Sequence, residues 1–337
     1  MKTLNLILIV FVLLGLFLFT TVAFLQDETI NILWISDCDP RTSTTNCNLG
    51  VVDLLNPFYA VVSEIDAALT YAIPTSEANL REYDVIVANY CTGTARHPLF
   101  TEILQRYLAS GGSIIVMADN FCRLTPDFTT AQAANQFTVD YGMSFTDDDG
   151  ADYNWADRII EHPITQEVEQ LYVFRHAYLE VEEPAETIIT ISEQPLIAVY
   201  DGDGTIVAIA TTTFDWSEFA RGHTSQDVDS NRFVLWRNIF LWLADQSRDK
   251  REWGAPASSE PLFCFVVTIN DSTNVRTGPG TDYDILASVE HNSRMIVFGQ
   301  TTGEDGFVWW QVGDGAWVRD DVVETEGVCA TVPEVEL

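Results

Sequence analysis

Apolar residues follow different rhythms along this chain. In "INILWIS" (30–36), "YDVIVANYC" (83–91) and "SIIVMAD" (113–119) they run without interruption, as in strands buried on both faces of a parallel sheet. A shorter strand pattern lies near 68–73. Between these runs, helix-like patterns occupy 55–67, 97–112 and 130–142. Pro98 sits in the first turn of the 97–112 helix, and Gly111-Gly112 ends it. Alternating strands and helices predict a parallel sheet with right-handed crossovers. Further on, "ETIITI" and "PLIAVY" lead to Asp201-Gly202-Asp203-Gly204, a hairpin turn whose glycines are expected at positive φ, and "TIVAIATTTF" returns as a strand. "NRFVLWRNIFLWLADQ" (231–246) places Phe233, Trp236, Phe240 and Leu243 on one helix face. The charged, aperiodic stretch 247–261 predicts a linker.

Beyond that linker, short alternating strands are divided by Gly278-Pro279-Gly280, His291-Asn292, Gly303 and Gly313 to Gly315. They predict a small all-β barrel, with Gly278 and Gly280 supplying φ values closed to other residues. Alternation in "ILASV" and "MIVFG" predicts one buried face per strand. Trp309 and Trp310 are adjacent, so one is expected inside and the other outside.

The chain begins with one Lys and then about twenty apolar residues, enough to cross a bilayer with a cytoplasmic N-terminus. Thr21-Val22-Ala23 also suits signal cleavage, so residues 1–26 predict either a signal peptide or a membrane anchor, and everything after them is expected outside the cytoplasm. Net charge is −33, which makes nucleic acid and anionic headgroups poor partners. Six cysteines in an exported chain point to disulfides before metal. Cys38 and Cys47 share a loop, Cys264 and Cys329 bracket the barrel, and Cys91 is left to pair with Cys122. No CxxC pair or His cluster supports zinc. The acidic run 146–157 lacks the ligand spacing of a helix-loop-helix calcium site. Neither a metal nor another cofactor is expected.

The order of elements over 28–246, with phrases such as His162-Pro163-Ile164-Thr165, resembles the class I glutamine amidotransferase-like superfamily, most closely its non-enzymatic branch. The resemblance implies an α/β parallel-sheet, flavodoxin-like domain. Active members carry a Gly-x-Cys-x-Gly elbow; here Asn120 and Leu124 flank Cys122 in place of the glycines. The family's His-x-Glu pair is absent too, since Ala177 and Tyr178 follow His176, and Thr224 and Ser225 follow His223. A thiolate without a base or an electropositive setting is a weak nucleophile, so Cys122 reads as a disulfide partner. The carboxyl edge of such a sheet is where ligands bind, and Asp37, Asn89, Asp119 and Asn120 are expected there.

"NVRTGPG" (274–280), Tyr283, "WWQV" (309–312) and "AWV" (316–318) resemble a bacterial SH3-like domain over 262–337. That resemblance implies binding, with Tyr283, Trp309, Trp310 and Trp317 as candidate contacts for cell-wall peptide, glycan or envelope proteins. The expected protein is exported, tethered to the membrane through its N-terminal helix, and a non-enzymatic scaffold. Two other readings stand beside it: an amidase directed to the wall with Cys122 as nucleophile, and a transport-associated sensor of a small ligand.

Overall fold

The computed structural model describes residues 29–35, 56–74, 77–91, 98–119, 123–125, 128–148, 150, 153–212, 226–251, 263–313 and 315–335. The continuous apolar runs form β1 (Asn31–Ile35), β2 (Ala68–Ala72), β3 (Val85–Asn89) and β4 (Ser113–Met117). Short strands follow: β5 (Arg123–Thr125), β6 (Phe128–Thr129), β7 (Met143–Phe145), β8 (Tyr153–Ile159), β9 (Tyr172–Phe174) and β10 (Leu179–Val181). Then come β11 (Glu186–Ile191), β12 (Gln194–Asp201) and β13 (Thr205–Ile209). Nine of these make one sheet in the order β2-β1-β3-β4-β13-β12-β11-β8-β9. Every position of β3, β4 and β13 is buried, which is why their sequences show no polar alternation.

The expected flavodoxin-like α/β fold is not what forms. Strands β2, β1, β3, β4 and β13 are parallel, but β12, β11, β8 and β9 extend the sheet antiparallel. The cause is local. The turn 201–204 folds β12 directly back onto β13, and the tight turn at Ser192-Glu193, both at positive φ, folds β11 onto β12. Turns of two and three residues join antiparallel neighbours and leave no room for a crossover helix. The mixed sheet is therefore a consequence of hairpins in the second half. Gly204 is not at positive φ; a Cβ there would lie 2.3 Å from the Leu108 carbonyl oxygen, so close approach is what requires glycine.

Helices 56–64 and 226–250 pack together against the sheet, as do 98–109 and 130–138. Trp236 stacks on Phe240 at 5.3 Å and meets Phe58 edge-on at 5.3 Å, so the expected apolar helix face is the buried one. The helix runs past Gln246 to Lys250, into the stretch expected as linker. Arg251 is buried and donates to Arg81 O (3.0 Å) and Tyr107 Oη (3.1 Å). No helix among the described residues is long and apolar enough to cross a membrane; the N-terminal stretch 1–26 lies outside the described residues.

The C-terminal part holds β14 (Cys264–Thr268), β15 (Ser272–Arg276), β16 (Ile285–Glu290), β17 (Arg294–Ile296), β18 (Gly299–Thr302), β19 (Val308–Gly313), β20 (Ala316–Arg319) and β21 (Val323–Gly327). They form a three-stranded sheet, β17-β14-β21, and a five-stranded one, β16-β15-β20-β19-β18. Between them lies a small core of Cys264, Val266, Val297, Trp310, Val318 and Val323. Cys264 and Cys329 are bridged, their Cα atoms 4.5 Å apart, and closing so long a loop is worth about 4 kcal/mol in the chain-entropy account.

This unit is seated on the larger one. Phe263 is fully buried, its ring 5.0 Å from that of Phe100, and it joins Phe265 and Ile296 to the main core. Phe263→Ala is expected to cost about 3 kcal/mol and to uncouple the two units. Calorimetry of the variant should then show the C-terminal unit melting separately, where the parent melts in one transition.

Candidate functional site

Two regions compete for function: the carboxyl edge of the parallel strands, and the loops at one end of the C-terminal unit. At the sheet edge, Asn89 and Asp119 are both fully buried. Asp119 Oδ2 accepts from Thr212 N (3.0 Å) and from Thr212 Oγ1. Asn89 Nδ2 donates to Thr212 O (3.0 Å), and its Oδ1 accepts from Cys91 N (3.0 Å). The side chains expected to meet ligand therefore tie the ends of β3, β4 and β13 to one another. Buried polar groups are costly unless paired, and here the pairing is internal.

Cys91 is disulfide-bonded, and no described cysteine is a free thiol. Asp37, Asn120, Cys38, Cys47 and Cys122 lie outside the described residues. Asp147, from the acidic run, accepts from Thr129 Oγ1 (3.1 Å) and Gln132 Nε2 (3.3 Å), the pair that caps helix 130–138. Among the described residues no group of three or more His, Cys, Asp or Glu is placed to hold a metal. His162-Pro163-Ile164-Thr165 is a capping box: His162 Nδ1 accepts from Ile164 N (3.3 Å), and Thr165 Oγ1 accepts from His162 N (3.0 Å). That phrase is structural. Beside it, an open polar groove of about 480 Å³ runs along β8, lined by Arg158, Glu161 and Glu169 among others.

His176 is the residue that the sequence did not mark as part of this edge. The Ala177 amide donates to Ala210 O (2.8 Å), just beyond β13, so His176 sits at the same edge. It is fully buried, and among the described residues neither ring nitrogen has a hydrogen-bond partner. Gly150 covers it so closely that a Cβ there would lie 2.1 Å from His176 Nε2. Burial pushes its imidazole down to about 4.

At the C-terminal unit, the loop 277–284 faces the loop 303–307 across Trp309. Tyr283 lays its ring on the Gly278 backbone, where a Cβ would lie 2.3 Å from Cδ1. Neither Gly278 nor Gly280 is at positive φ, so these glycines serve close ring packing and not an unusual backbone. Arg276 Nη1 donates to Tyr283 O (2.7 Å) and Thr277 N to Asp284 O (2.9 Å), fixing the loop. Opposite, Trp309 Nε1 and Phe307 N donate to Asp305 Oδ1 (3.2 and 3.1 Å). Desolvation works against the Asp305 carboxylate, yet the Phe307 amide, the Trp309 indole and the Arg319 guanidinium hold its pKa below the usual range. Arg319 lies over the Phe307 ring at 4.4 Å.

Three of the four aromatic candidates are core. Trp309, Trp310 and Trp317 are 2%, 7% and 4% exposed. Trp309 and Trp310 do point to opposite sides of β19, but both sides are covered: Trp310 by the inter-sheet core, Trp309 by Pro279 and Gly303. Trp310 Nε1 finds Asp320 Oδ1 at 2.9 Å. Tyr283 (44% exposed) and Phe307 (41%) form the open rim. These two exposed aromatics stand on facing loops with the acids Asp282, Asp284, Glu304 and Asp305, all exposed.

Three consequences can be measured. A histidine whose folded pKa lies below its free value contributes stability above about pH 6.5, lost as pH falls toward 4. Unfolding titrations should therefore show up to about 3 kcal/mol lost across that window, and His176→Leu should remove that dependence. Gly303→Ala would place a Cβ 2.6 Å from the Pro279 carbonyl oxygen and is expected to cost about 1–3 kcal/mol. Gly278→Ala meets only the exposed Tyr283 ring; it should leave the melting temperature nearly unchanged while shifting the tyrosine's NMR resonances.

Comparison with known proteins agrees with this division. Residues 271–324 match the family model described as "Bacterial SH3 domain". The amidotransferase-like resemblance of 28–246 is not confirmed. No curated protein sequence matches significantly. Solved structures similar in shape include "Cytoplasmic Protein STM1381 from Salmonella typhimurium LT2", at TM-score 0.48 and 14% identity, covering 64% of this chain and 99% of that one. The "mmIFT52 N-terminal domain" follows at 0.45 and 13%, covering 64% and 97%. These values mark a distant likeness of shape alone. What the loops 277–284 and 303–307, the buried tryptophans and the family match establish together is that this chain carries a bacterial SH3 domain at its C-terminal end.

Proposed function

We propose that this chain is an exported binding protein, held at the cell envelope by its N-terminal apolar segment, whose SH3 domain engages cell-wall or envelope-protein ligands. The observation that carries the reading is the pair of exposed aromatics, Tyr283 and Phe307, on a domain matched to the bacterial SH3 family; we take the space between their loops as the binding cleft. An exposed aromatic rim over a rigid floor suits stacking on peptide planes or sugar faces. The acids around it favour cationic ligands, such as peptides bearing free amines, over anionic ones. The larger domain supports a structural role: Asn89 and Asp119 are engaged with Thr212, and no described cysteine is a free nucleophile. Export and tethering rest on the first 26 residues and on the Cys264–Cys329 bridge, a bond typical of oxidising compartments.

The full-length chain should co-sediment with purified peptidoglycan, and Tyr283→Ala with Phe307→Ala should weaken binding at least tenfold, roughly 1.4 kcal/mol. Thermal melting of the double variant should match the parent, because both side chains lie on the surface. Retention of binding by that variant would remove the cleft from the account.

A further inference from the structure

The alternating "ILASV" stretch does not bury one face. Strand β16 lies at the end of the five-stranded sheet and pairs on one side only, with β15. Ile285 and Leu286 are 55% and 56% exposed, and Ala287, Ser288 and Glu290 are exposed with them. The inner partners on β15, Thr273 and Val275, are buried, so β16 projects beyond the core that covers its neighbour. From Ala287 to Glu290 it keeps regular register with Val275 to Ser272. Over those four residues its far edge is therefore a regular run of backbone with no strand beside it among the described residues.

Exposed edges of this kind are ordinarily blunted by lysine, proline or a bulge. Between Thr277 and Ser293 the chain has no Lys or Arg, and its one proline, Pro279, precedes the strand. The charges present are acids: Asp282 and Asp284 before the strand, Glu290 at its end. The flanking arginines are occupied elsewhere, Arg276 with Tyr283 O and Arg294 with Glu326 (3.1 Å) and over the Phe265 ring (3.6 Å). The edge is thus apolar in its first half and acidic at both ends; a register shift against β15 falls between Ile285 and Ala287, and from Ala287 to Glu290 no lysine, proline or bulge blunts it.

We propose that β16 is a strand-addition site for an extended segment of a protein partner, apolar at its centre and basic at its ends. Backbone pairing along the free edge supplies affinity, Ile285 and Leu286 supply apolar contact, and the terminal acids set register and charge preference. A second copy of the chain does not fit. Antiparallel self-pairing would bring Asp284 toward the partner's Glu290, and parallel self-pairing would set each acid beside its own copy; like charges directly opposite destabilise a strand pair. This surface is separate from the Tyr283–Phe307 cleft and does not depend on what the cleft binds.

The test uses the full-length chain in mild detergent. One probe peptide alternates valine and threonine with paired lysines at each end, and its counterpart has glutamates in place of the lysines. The lysine-ended peptide should bind, slow amide exchange over 285–290, and weaken as salt is raised. Leu286→Lys should reduce its affinity about tenfold or more, while Phe307→Ala leaves it unchanged. Equal binding of both peptides, protection confined to 303–307, or concentration-dependent protection of 285–290 in the chain alone would each overturn the proposal, the last by assigning the edge to a second copy.

Discussion

A buried carboxylate holds the centre of this protein together. Asp119, at the end of β4, accepts two hydrogen bonds from Thr212 beyond β13, and Asn89 at the end of β3 donates to the same residue. Three central strands are thereby joined at the edge where open α/β sheets usually present groups to a ligand. A buried carboxyl group in such a place is tolerated only when its hydrogen bonds are met within the protein. Because they are met, the described polar groups at this edge stabilise the sheet and are not offered outward. His176 is the exception, a buried imidazole whose nitrogens have no hydrogen-bond partner among the described residues, and burial lowers its pKa.

The SH3 domain is built on the opposite principle. Its large side chains fill a core too small to shield them all, and the remainder stand at the surface as Tyr283, Ile285, Leu286 and Phe307. A missing Cβ at Gly278 seats the Tyr283 ring, and a missing Cβ at Gly303 lets Pro279 close over Trp309. The two loops are therefore packed in place, and a preformed surface lowers the ordering cost of any ligand the proposed cleft takes. The Cys264–Cys329 bridge and the Phe263–Phe100 contact fix the domain at its ends and against the larger unit.

Much of this was legible in the residues. Continuous apolar runs located β1, β3 and β4, the amphipathic stretch located the long helix, and "NVRTGPG" located the SH3 domain. In the antiparallel half of the sheet β11 and β12 show as strand patterns, but β9 is only three residues, too short for any period to show, and so are β7 and β10, which pair in a separate two-stranded sheet. The hairpin at 201–204 shows in the residues, but its effect on strand direction depends on β12 and β13 lying side by side in one sheet. "ILASV" alternates in the same way whether or not anything covers it, so the exposure of β16 had no sequence signal. Trp309 and Trp310 were assigned by a rule for two-faced strands, and the rule fails where loops cover the second face. His176 reaches the sheet edge through the Ala177–Ala210 backbone contact, which leaves no local mark.

The central claim is that ligand meets the SH3 domain and not the sheet edge. The most direct measurement is amide hydrogen exchange across the full-length chain, with and without soluble peptidoglycan fragments. The account predicts slowed exchange at 277–284 and 303–307, with no change at 89–91, 118–119 or 210–212. Protection at the ends of β3, β4 and β13, with 277–284 and 303–307 unchanged, would contradict it.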